Sequence, residues 1–187
     1  MNPPFKIDHR IKKILIPQID INREISNLAN HLNKEYAHKK PILIGILKGC
    51  LPFYNELFLQ LTCDPIMDFM VVSSYQGNVR AKHSPKIVTD LRQDIRGRHV
   101  IIVEDIIDSG KTLLNIKEVL KLRKPKSIKI ICLVDKPQCR TVNCKADHVC
   151  FKVGPVFIVG YGLDYQEYFR NLPYIGELKE TVYKKHK

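Results

Sequence analysis

The sequence contains no apolar run of the ~20 residues that a membrane-spanning helix needs. Residues 1–10 have neither the apolar stretch nor the small-residue cleavage site of a secretion signal. There is also no internal repeat and no low-complexity linker. These absences predict a soluble cytoplasmic protein with one main domain. A chain of 187 residues is long enough to bury one full hydrophobic core.

Paired metal-binding cysteines are absent as well. None of the six cysteines forms a C-x-x-C pair, and no histidine spacing completes a zinc site. Cys50 follows an apolar run and Cys132 lies inside one, which is typical of cysteines that act as small buried hydrophobic residues. The pattern favours reduced thiols over disulfide bonds or a structural metal.

The chain is strongly basic, with 31 Lys and Arg residues against 19 Asp and Glu residues and a net charge of +12. A basic surface can attract nucleic acid, membrane phosphates or small anionic substrates. The positive charge is spread along the chain, and its densest runs are residues 121–129 and 184–187. This distribution favours solvated surfaces and a phosphate-rich small substrate, while specific RNA binding stays open as an alternative.

Hydrophobic periodicity predicts an alternation of strands and helices. Continuous apolar runs at 41–47, 99–103 and 128–134 have the character of strands that are buried on both faces. Such an alternation implies parallel crossovers and an α/β sheet. Apolar residues with helical spacing predict helices over 21–36, 51–61 and 113–120, and Asp20 is a plausible N-cap for the first. Shorter apolar runs at 69–72 and 156–159 predict two further strands.

Polar segments follow four of these predicted strands directly. In sheets of this kind, ligands bind beyond the carboxyl ends of the strands. The loop from Ser73 to Lys86 is polar and long for a compact domain, so we expect a mobile lid there. The four polar breaks are Lys48–Gly49, Ser74–Tyr75, Glu104–Thr112 and Asp135–Lys136.

The segment Val100–Thr112 has the clearest chemical pattern. Its turn from Asp108 onward offers successive backbone N–H groups at the start of a helix. Gly110 lets the backbone approach a ligand closely, and Ser109 and Thr112 add hydroxyl donors. The turn is therefore predicted to hold a phosphate monoester.

Two adjacent carboxylates, Glu104 and Asp105, precede this turn. They are poor phosphate ligands because like charges repel, but they suit a diol or a magnesium ion. A phosphate on one side and a diol on the other match a ribose 5-phosphate. The alternatives are an acidic turn that only caps a helix and a nucleoside-triphosphate P-loop. The P-loop motif fits poorly because its first glycine would fall on Asp105.

This segment resembles the signature of the type I phosphoribosyltransferases, and the resemblance extends over about residues 40–175. Five segments match those of the hypoxanthine-guanine phosphoribosyltransferases in the same order. They are Leu47-Lys48-Gly49 (pyrophosphate loop), Ser74-Tyr75 (start of the mobile loop), Val100–Thr112 (signature), Leu133–Lys136 (base-selecting segment) and Phe157–Arg170 (C-terminal base and pyrophosphate segment).

The resemblance implies a fold and a reaction. The fold would be a mainly parallel twisted sheet flanked by helices, in a single domain over 1–187, with a small hood from about 1–16 and 150–187. The reaction would be purine salvage, in which the 5-phosphoribosyl group of 5-phosphoribosyl-1-pyrophosphate passes to hypoxanthine or guanine. The resemblance also implies a Mg²⁺ cofactor and a homodimer or homotetramer, with no membrane or nucleic-acid partner.

Residue roles follow from the same resemblance. Asp108 would exchange a proton with purine N7 as general acid or base. Glu104 and Asp105 would hold the ribose hydroxyls, directly or through magnesium, and Asp164 could bind a second magnesium ion. The predicted phosphoribosyl-binding set is Glu104, Asp105, Asp108, Ser109, Gly110, Lys111 and Thr112.

The leaving group and the base have their own predicted sets. Lys136 would donate to the purine 6-oxygen and Phe157 would stack on the ring, while the carbonyls of Ile158 and Asp164 could accept from a guanine amino group. Lys48 and Arg170 would stabilise the leaving pyrophosphate. The predicted pyrophosphate set is Lys48, Gly49, Ser74, Tyr75 and Arg170.

Two other functions are compatible with the same fold. The chain could be a non-enzymatic regulator that binds nucleic acid, as its net charge would allow, although Asp108, Lys48 and Arg170 favour an enzyme. It could also transfer the phosphoribosyl group to adenine, orotate or uracil instead.

Overall fold

The computed structural model describes residues 7–73 and 86–184. Nine strands and four α-helices occur in these two ranges, together with a short 3-10 helix at Pro137–Cys139. In chain order the elements are β1 (Ile11–Ile16), α1 (Gln18–Glu35), β2 (Ile42–Leu47), α2 (Leu51–Phe58), β3 (Ile66–Ser73), β4 (Lys86–Thr89), β5 (His99–Ile107), α3 (Lys111–Leu122), β6 (Ser127–Asp135), β7 (His148–Lys152), β8 (Ile158–Val159), β9 (Ile175–Leu178) and α4 (Glu180–Tyr183).

The larger sheet has six strands in the order β4-β3-β2-β5-β6-β7. Neighbouring strands run parallel from β3 to β7, and only the edge strand β4 is antiparallel to its neighbour. The prediction of a mainly parallel sheet is therefore confirmed. Since β2, β5 and β6 lie side by side, their carboxyl ends meet at one edge of the sheet.

A second sheet of three antiparallel strands, in the order β1-β9-β8, joins the two ends of the described chain. Its apolar cluster is separate from those of the larger sheet and consists of Ile11, Val159, Phe169, Tyr174 and Leu178. The strand predicted at 156–159 is β8 in this small sheet, and it covers only Ile158–Val159.

Helices cover both faces of the larger sheet. On one face, α1 and α2 pack on alternate strand residues that include Leu43, Ile101 and Leu133. On the other face, α3 packs on residues that include Ile44 and Ile102. Each such side chain is almost wholly buried and contributes about 1.5–3 kcal/mol relative to an exposed one. This packing fixes the strand ends on which the candidate site is built.

The ends of three elements differ from the sequence-based expectation. Helix α1 begins at Gln18 after an extended Pro17, so Asp20 lies in the first turn, where it pairs with Arg23 at 2.7 Å and does not act as N-cap. Helix α2 ends at Phe58. Strand β5 continues through the two acidic residues to Ile107, because its pairing with β6 extends that far.

All six cysteines are free thiols, and Cys50 and Cys132 are fully buried as predicted. Across residues 7–73 and 86–184, none of the helices has the length and apolar character needed to cross a membrane.

Candidate active site

A cavity of about 220 Å³ opens at the carboxyl ends of β5 and β6. Residues far apart in the sequence meet there, because Ile107 of β5 pairs with Asp135 of β6 and the segment after β8 folds over the same edge. Six of its eight lining residues were predicted as site residues from the sequence. The lining is Asp105, Ile106, Asp108, Lys136, Phe157, Ile158, Leu163 and Asp164.

The turn between β5 and α3 has the backbone geometry of an anion site. Gly110 has a φ of +82° and precedes the first helical residue, Lys111. The N-cap residue is Gly110 and not Asp108, and the N–H groups of Thr112 and Leu113, which have no partner one turn earlier in the helix, remain available to a ligand. The Ser109 hydroxyl lies beside this turn and accepts a hydrogen bond from the Lys111 backbone N–H at 3.4 Å.

Arg140, which sequence analysis did not identify, fixes the shape of this turn. Its Nη1 donates to the backbone carbonyl of Asp108 at 2.5 Å, and its Nη2 forms an ion pair with Asp135. Its side chain also passes 3.0 Å from the position of a Cβ on Gly110, which leaves little space for a larger residue. The backbone N–H of Thr141 adds a bond to the carbonyl of Ser109 at 3.1 Å.

The two adjacent acids, Glu104 and Asp105, are half-buried at the end of β5. Oε2 of Glu104 is buried and has no hydrogen-bond partner among the described residues. Burial and the neighbouring Asp105 raise the pKa of Glu104, and burial raises the pKa of Asp105 to about 6. Buried carboxyl groups with raised pKa values and a free oxygen are suited to a hydroxyl donor or a cation.

The segment after β2 approaches these acids closely. A Cβ on Gly49 would overlap the carboxylate of Asp105, and a Cβ on Gly162 would overlap the carbonyl of Gly49. Gly162 also has a φ of +98°, which side chains rarely permit. These contacts hold the loop after β2, the end of β5 and the C-terminal segment against one another.

Glu167 connects the two cations that were predicted to bind pyrophosphate. Its carboxylate lies 2.8 Å from Nζ of Lys48 and 3.1 Å from Nη2 of Arg170. Nη1 of Arg170 pairs with Asp164 at 2.9 Å and also donates to the Gly162 carbonyl at 2.8 Å. Glu167 lies in the segment Phe157–Arg170 that resembles the family, but no role was predicted for it from the sequence.

Both carboxylate oxygens of Asp164 already have partners within the protein. Besides the pair with Arg170, its Oδ2 accepts the backbone N–H of Glu167 at 2.9 Å. A magnesium ion at Asp164 would therefore have to share oxygens that carry other hydrogen bonds, whereas Glu104 has an oxygen free.

Lys136 lies inside the cavity wall with only 8% of its surface exposed. Its Nζ donates a hydrogen bond to the carbonyl of Val156 at 2.7 Å. An ammonium group can donate three hydrogen bonds, so two donors remain. Lys136 is therefore not an ordinary solvated surface charge, although lysine side chains usually are.

Phe157 lines the same cavity and is held between two tyrosines. Its ring stacks on Tyr183 of α4 with centroids 4.8 Å apart, and it meets Tyr165 edge to face at 5.6 Å. The aromatic contacts fix the ring plane, as a stacking platform requires. Two predicted pyrophosphate residues, Ser74 and Tyr75, and most of the predicted lid lie outside the described residues.

Comparison with known proteins identifies the family. The family model described as the phosphoribosyl transferase domain matches residues 17–166. The chain is 49% identical over 177 residues to the hypoxanthine-guanine phosphoribosyltransferase of Streptococcus pneumoniae, and the match covers 95% of this chain and 98% of the relative. The chain belongs to the hypoxanthine-guanine phosphoribosyltransferases.

Solved structures of this family have the same fold. A hypoxanthine phosphoribosyltransferase from Staphylococcus aureus superposes with a TM-score of 0.90 at 40% identity, over 94% of this chain and 96% of that one. The hypoxanthine phosphoribosyltransferase of Trypanosoma cruzi superposes with a TM-score of 0.88 at 34% identity, over 96% and 97% of the two chains. The fold class expected from the sequence is thus confirmed by phosphoribosyltransferase structures.

Proposed function

We propose that this chain transfers the 5-phosphoribosyl group of 5-phosphoribosyl-1-pyrophosphate to hypoxanthine and guanine, giving IMP or GMP and pyrophosphate. One observation carries the proposal: a single cavity combines the Asp108 carboxylate, the buried Lys136 and the Phe157 ring with the half-buried carboxylate of Asp105. The names of the relatives agree with this reaction.

Each part of the donor and acceptor has a complementary group in the site. The 5-phosphate binds the free N–H groups at the start of α3, and the ribose hydroxyls bind Glu104 and Asp105. The purine lies against Phe157 with its 6-oxygen at Lys136. Lys48 and Arg170 receive the pyrophosphate, since cations stabilise the charge of the leaving group.

The reaction breaks the bond between C1 of the ribose and the pyrophosphate oxygen while purine N9 bonds to C1. Positive charge develops on C1 and the purine ring, so the proton on N7 becomes acidic. The Asp108 carboxylate at the cavity wall accepts this proton as general base. Arg140 positions it by holding the turn from which it projects.

The acids of the site fit Mg²⁺. The free buried oxygen of Glu104 and the carboxylate of Asp105 offer hard oxygen ligands, and Asp164 lines the same cavity. The ion would neutralise the donor's phosphate charge beside these carboxylates. Burial raises the pKa of Asp105 to about 6, and a bound cation would favour its ionised form.

A panel of bases tests the function directly. The protein is incubated with the donor, magnesium and one of hypoxanthine, guanine, xanthine, adenine, orotate or uracil, and nucleotide formation is followed by absorbance. We expect turnover with hypoxanthine and guanine. Nucleotide formation only with adenine or a pyrimidine would refute the proposal while leaving the family assignment intact.

The metal role of the acids is tested by thermal unfolding. We expect the donor with magnesium to raise the melting temperature of the protein, and the donor with excess chelator to raise it much less, because the uncompensated phosphates face Glu104 and Asp105. The control is free phosphate with and without magnesium. An equal shift with the donor in chelator and in magnesium would show that these acids do not act through a metal.

Glu167 supplies a further test of the pyrophosphate site. Hydrogen bonds from Lys48 and Arg170 lower the pKa of Glu167, so it is ionised and competes with the leaving group for both cations. Exposed ion pairs are weak, so we expect Glu167→Gln to lower the KM for the donor by about two- to fivefold. Glu118→Gln, which removes the same charge from the exposed face of α3, is the matched control. A KM that rises or does not change in steady-state assays would contradict competition by Glu167.

We further propose that residues 1–187 form one phosphoribosyltransferase domain with a hood from 1–16 and 150–187. We propose that it works in the cytoplasm as a homodimer or homotetramer, without a nucleic-acid partner. The Trypanosoma cruzi relative was studied for the role of its C-terminal region in oligomeric state and activity. Light scattering on the purified chain measures the assembly, and a monomer would contradict this part of the proposal.

A further inference from the structure

Three potential metal ligands meet on the face of the larger sheet that α1 covers. His31 and Glu35 are four residues apart on α1, so their side chains project from the same side of the helix. His148 is the first residue of the edge strand β7. Nε2 of His31 lies 3.3 Å from Oε2 of Glu35, and Nε2 of His148 lies 4.0 Å from the same oxygen.

This cluster is separate from the candidate active site. In the parallel pairing of β6 and β7, His148 lies opposite Ile131, whereas Asp135 at the active-site edge lies opposite Lys152. The cluster is therefore four residues, or roughly 13 Å, toward the amino end of the sheet. None of its three residues has a role in the proposed phosphoribosyl transfer.

The spacing of the three ligand atoms suits tetrahedral zinc. At zinc–ligand distances of ~2.0–2.1 Å, neighbouring ligand atoms in a tetrahedron lie ~3.3 Å apart. His31 and Glu35 already have this separation, and all three ligand atoms lie within 4.8 Å of one another. Only a small side-chain movement of His148 is needed to complete three positions.

The surroundings leave space for a fourth ligand. A cavity of about 200 Å³ adjoins the two imidazoles and is lined by Glu24, Asn27, Leu28, His31, His148, Val149 and Cys150. The side chain of His31 is 54% exposed, so ions can reach the cluster from solvent. A water molecule in the cavity can occupy the remaining zinc position.

The charges around the cluster orient its carboxylate. Burial lowers the pKa of His148, and repulsion from His31 and Lys129 lowers it further. Burial opposes ionisation of Glu35, but the ion pair with Lys129 outweighs it and lowers the pKa of Glu35. Lys129 contacts Oε1 of Glu35, which leaves Oε2 directed at the two histidines.

We propose that His31, Glu35 and His148 bind Zn²⁺, with water as the fourth ligand, and that the ion fastens helix α1 to the edge strand β7. Two imidazoles and one carboxylate prefer zinc to magnesium, which favours oxygen ligands. The site is thus distinct in chemistry from the one proposed at Glu104 and Asp105.

Metal titration of the whole protein tests the site. Chelator-treated protein is titrated with Zn²⁺ in a buffer that contains excess Mg²⁺, and heat and melting temperature are recorded. Co²⁺ is used as a second probe, because its visible absorption is much stronger in tetrahedral than in octahedral coordination. We expect one zinc ion per chain, a higher melting temperature and a tetrahedral cobalt spectrum.

Variants locate the binding. His31→Gln and His148→Gln are expected to abolish both the zinc heat and the cobalt spectrum, whereas His9→Gln, which changes a 91% exposed histidine outside the cluster, keeps them. Lys129→Gln removes a cation beside the ion and is expected to tighten zinc binding several-fold. Phosphoribosyl transfer with Mg²⁺ should be unchanged in all of them, which also shows that they fold.

Two results would overturn the proposal. One is the absence of stoichiometric zinc binding by the wild-type protein and by Lys129→Gln. The other is wild-type binding and an unchanged cobalt spectrum in both cluster variants, which would place the metal at other residues, such as thiols.

Discussion

Replacing Asp108 by asparagine is expected to lower kcat by about 10²–10⁴-fold, the usual contribution of a general acid or base. Asparagine keeps the shape of the side chain but cannot accept the N7 proton. The residue is exposed at the cavity wall, and Arg140 holds its backbone carbonyl, so the turn should keep its conformation in the variant. Because the backbone N–H groups of α3 remain, donor binding should also persist.

The measurement is the steady-state rate of nucleotide formation, paired with the melting-temperature shift caused by donor and magnesium. The control is Asp64→Asn, which makes the same change on the exposed loop between α2 and β3, where the φ of +52° suits asparagine. Near-normal turnover of Asp108→Asn would remove Asp108 from the chemistry. Loss of the donor-induced shift would instead make it a binding residue.

The central elements of the fold were predictable because their environment is uniform. Strands β2, β5 and β6 lie in the middle of the larger sheet with helices on both faces, so their sequences are continuous apolar runs. The short strands of the small sheet follow no such rule. In β9 the polar Glu177 is only 7% exposed, and Lys12 of β1 compensates its charge with an ion pair at 2.8 Å. A burial of this kind depends on a partner 165 residues away and leaves no local pattern.

The end of β5 shows how tertiary pairing overrides local polarity. Two adjacent acids indicate the end of a buried strand, yet Glu104 pairs with Cys132 and Ile106 with Val134 in β6. The strand therefore continues through the acids and shields them partly from water, and this desolvation raises their pKa values. Their position at the carboxyl end of β5 was predictable from the order of residues, but the rise in their pKa values was not.

Contacts between distant loops were the part of the site that sequence could not supply. Lys48 and Glu167 are 119 residues apart, and nothing near either residue indicates that the carboxylate bridges Lys48 to Arg170. Arg140 likewise reaches the Asp108 turn from 32 residues away. Both residues support predicted ones, and such supporting roles emerge only from the folded geometry.

Base selection is the second large effect that we expect, with hypoxanthine preferred over adenine by about 10⁴-fold or more in kcat/KM. A 6-oxopurine presents an acceptor at carbon 6, whereas adenine presents an amino donor there. Lys136 has three donors and no acceptor, and one donor is already used by the Val156 carbonyl. Lys136 is only 8% exposed, so water cannot readily replace a missing partner. With adenine bound, the ammonium of Lys136 and the adenine amino group would face each other as two unpaired donors. Each unpaired group would cost about 1–3 kcal/mol of binding free energy.

Lys136→Ala separates this mechanism from simple shape selection. Loss of a charge-assisted hydrogen bond of about 1.5–3 kcal/mol should lower kcat/KM for hypoxanthine by roughly 10–100-fold. Activity with adenine should fall little or rise, because the variant no longer places a cation beside its amino group. Lys121→Ala, on the exposed surface of α3, removes the same charge without touching the cavity. If both bases lose activity equally in Lys136→Ala, then Lys136 supports the cavity wall through Val156 and the choice of base lies with other residues.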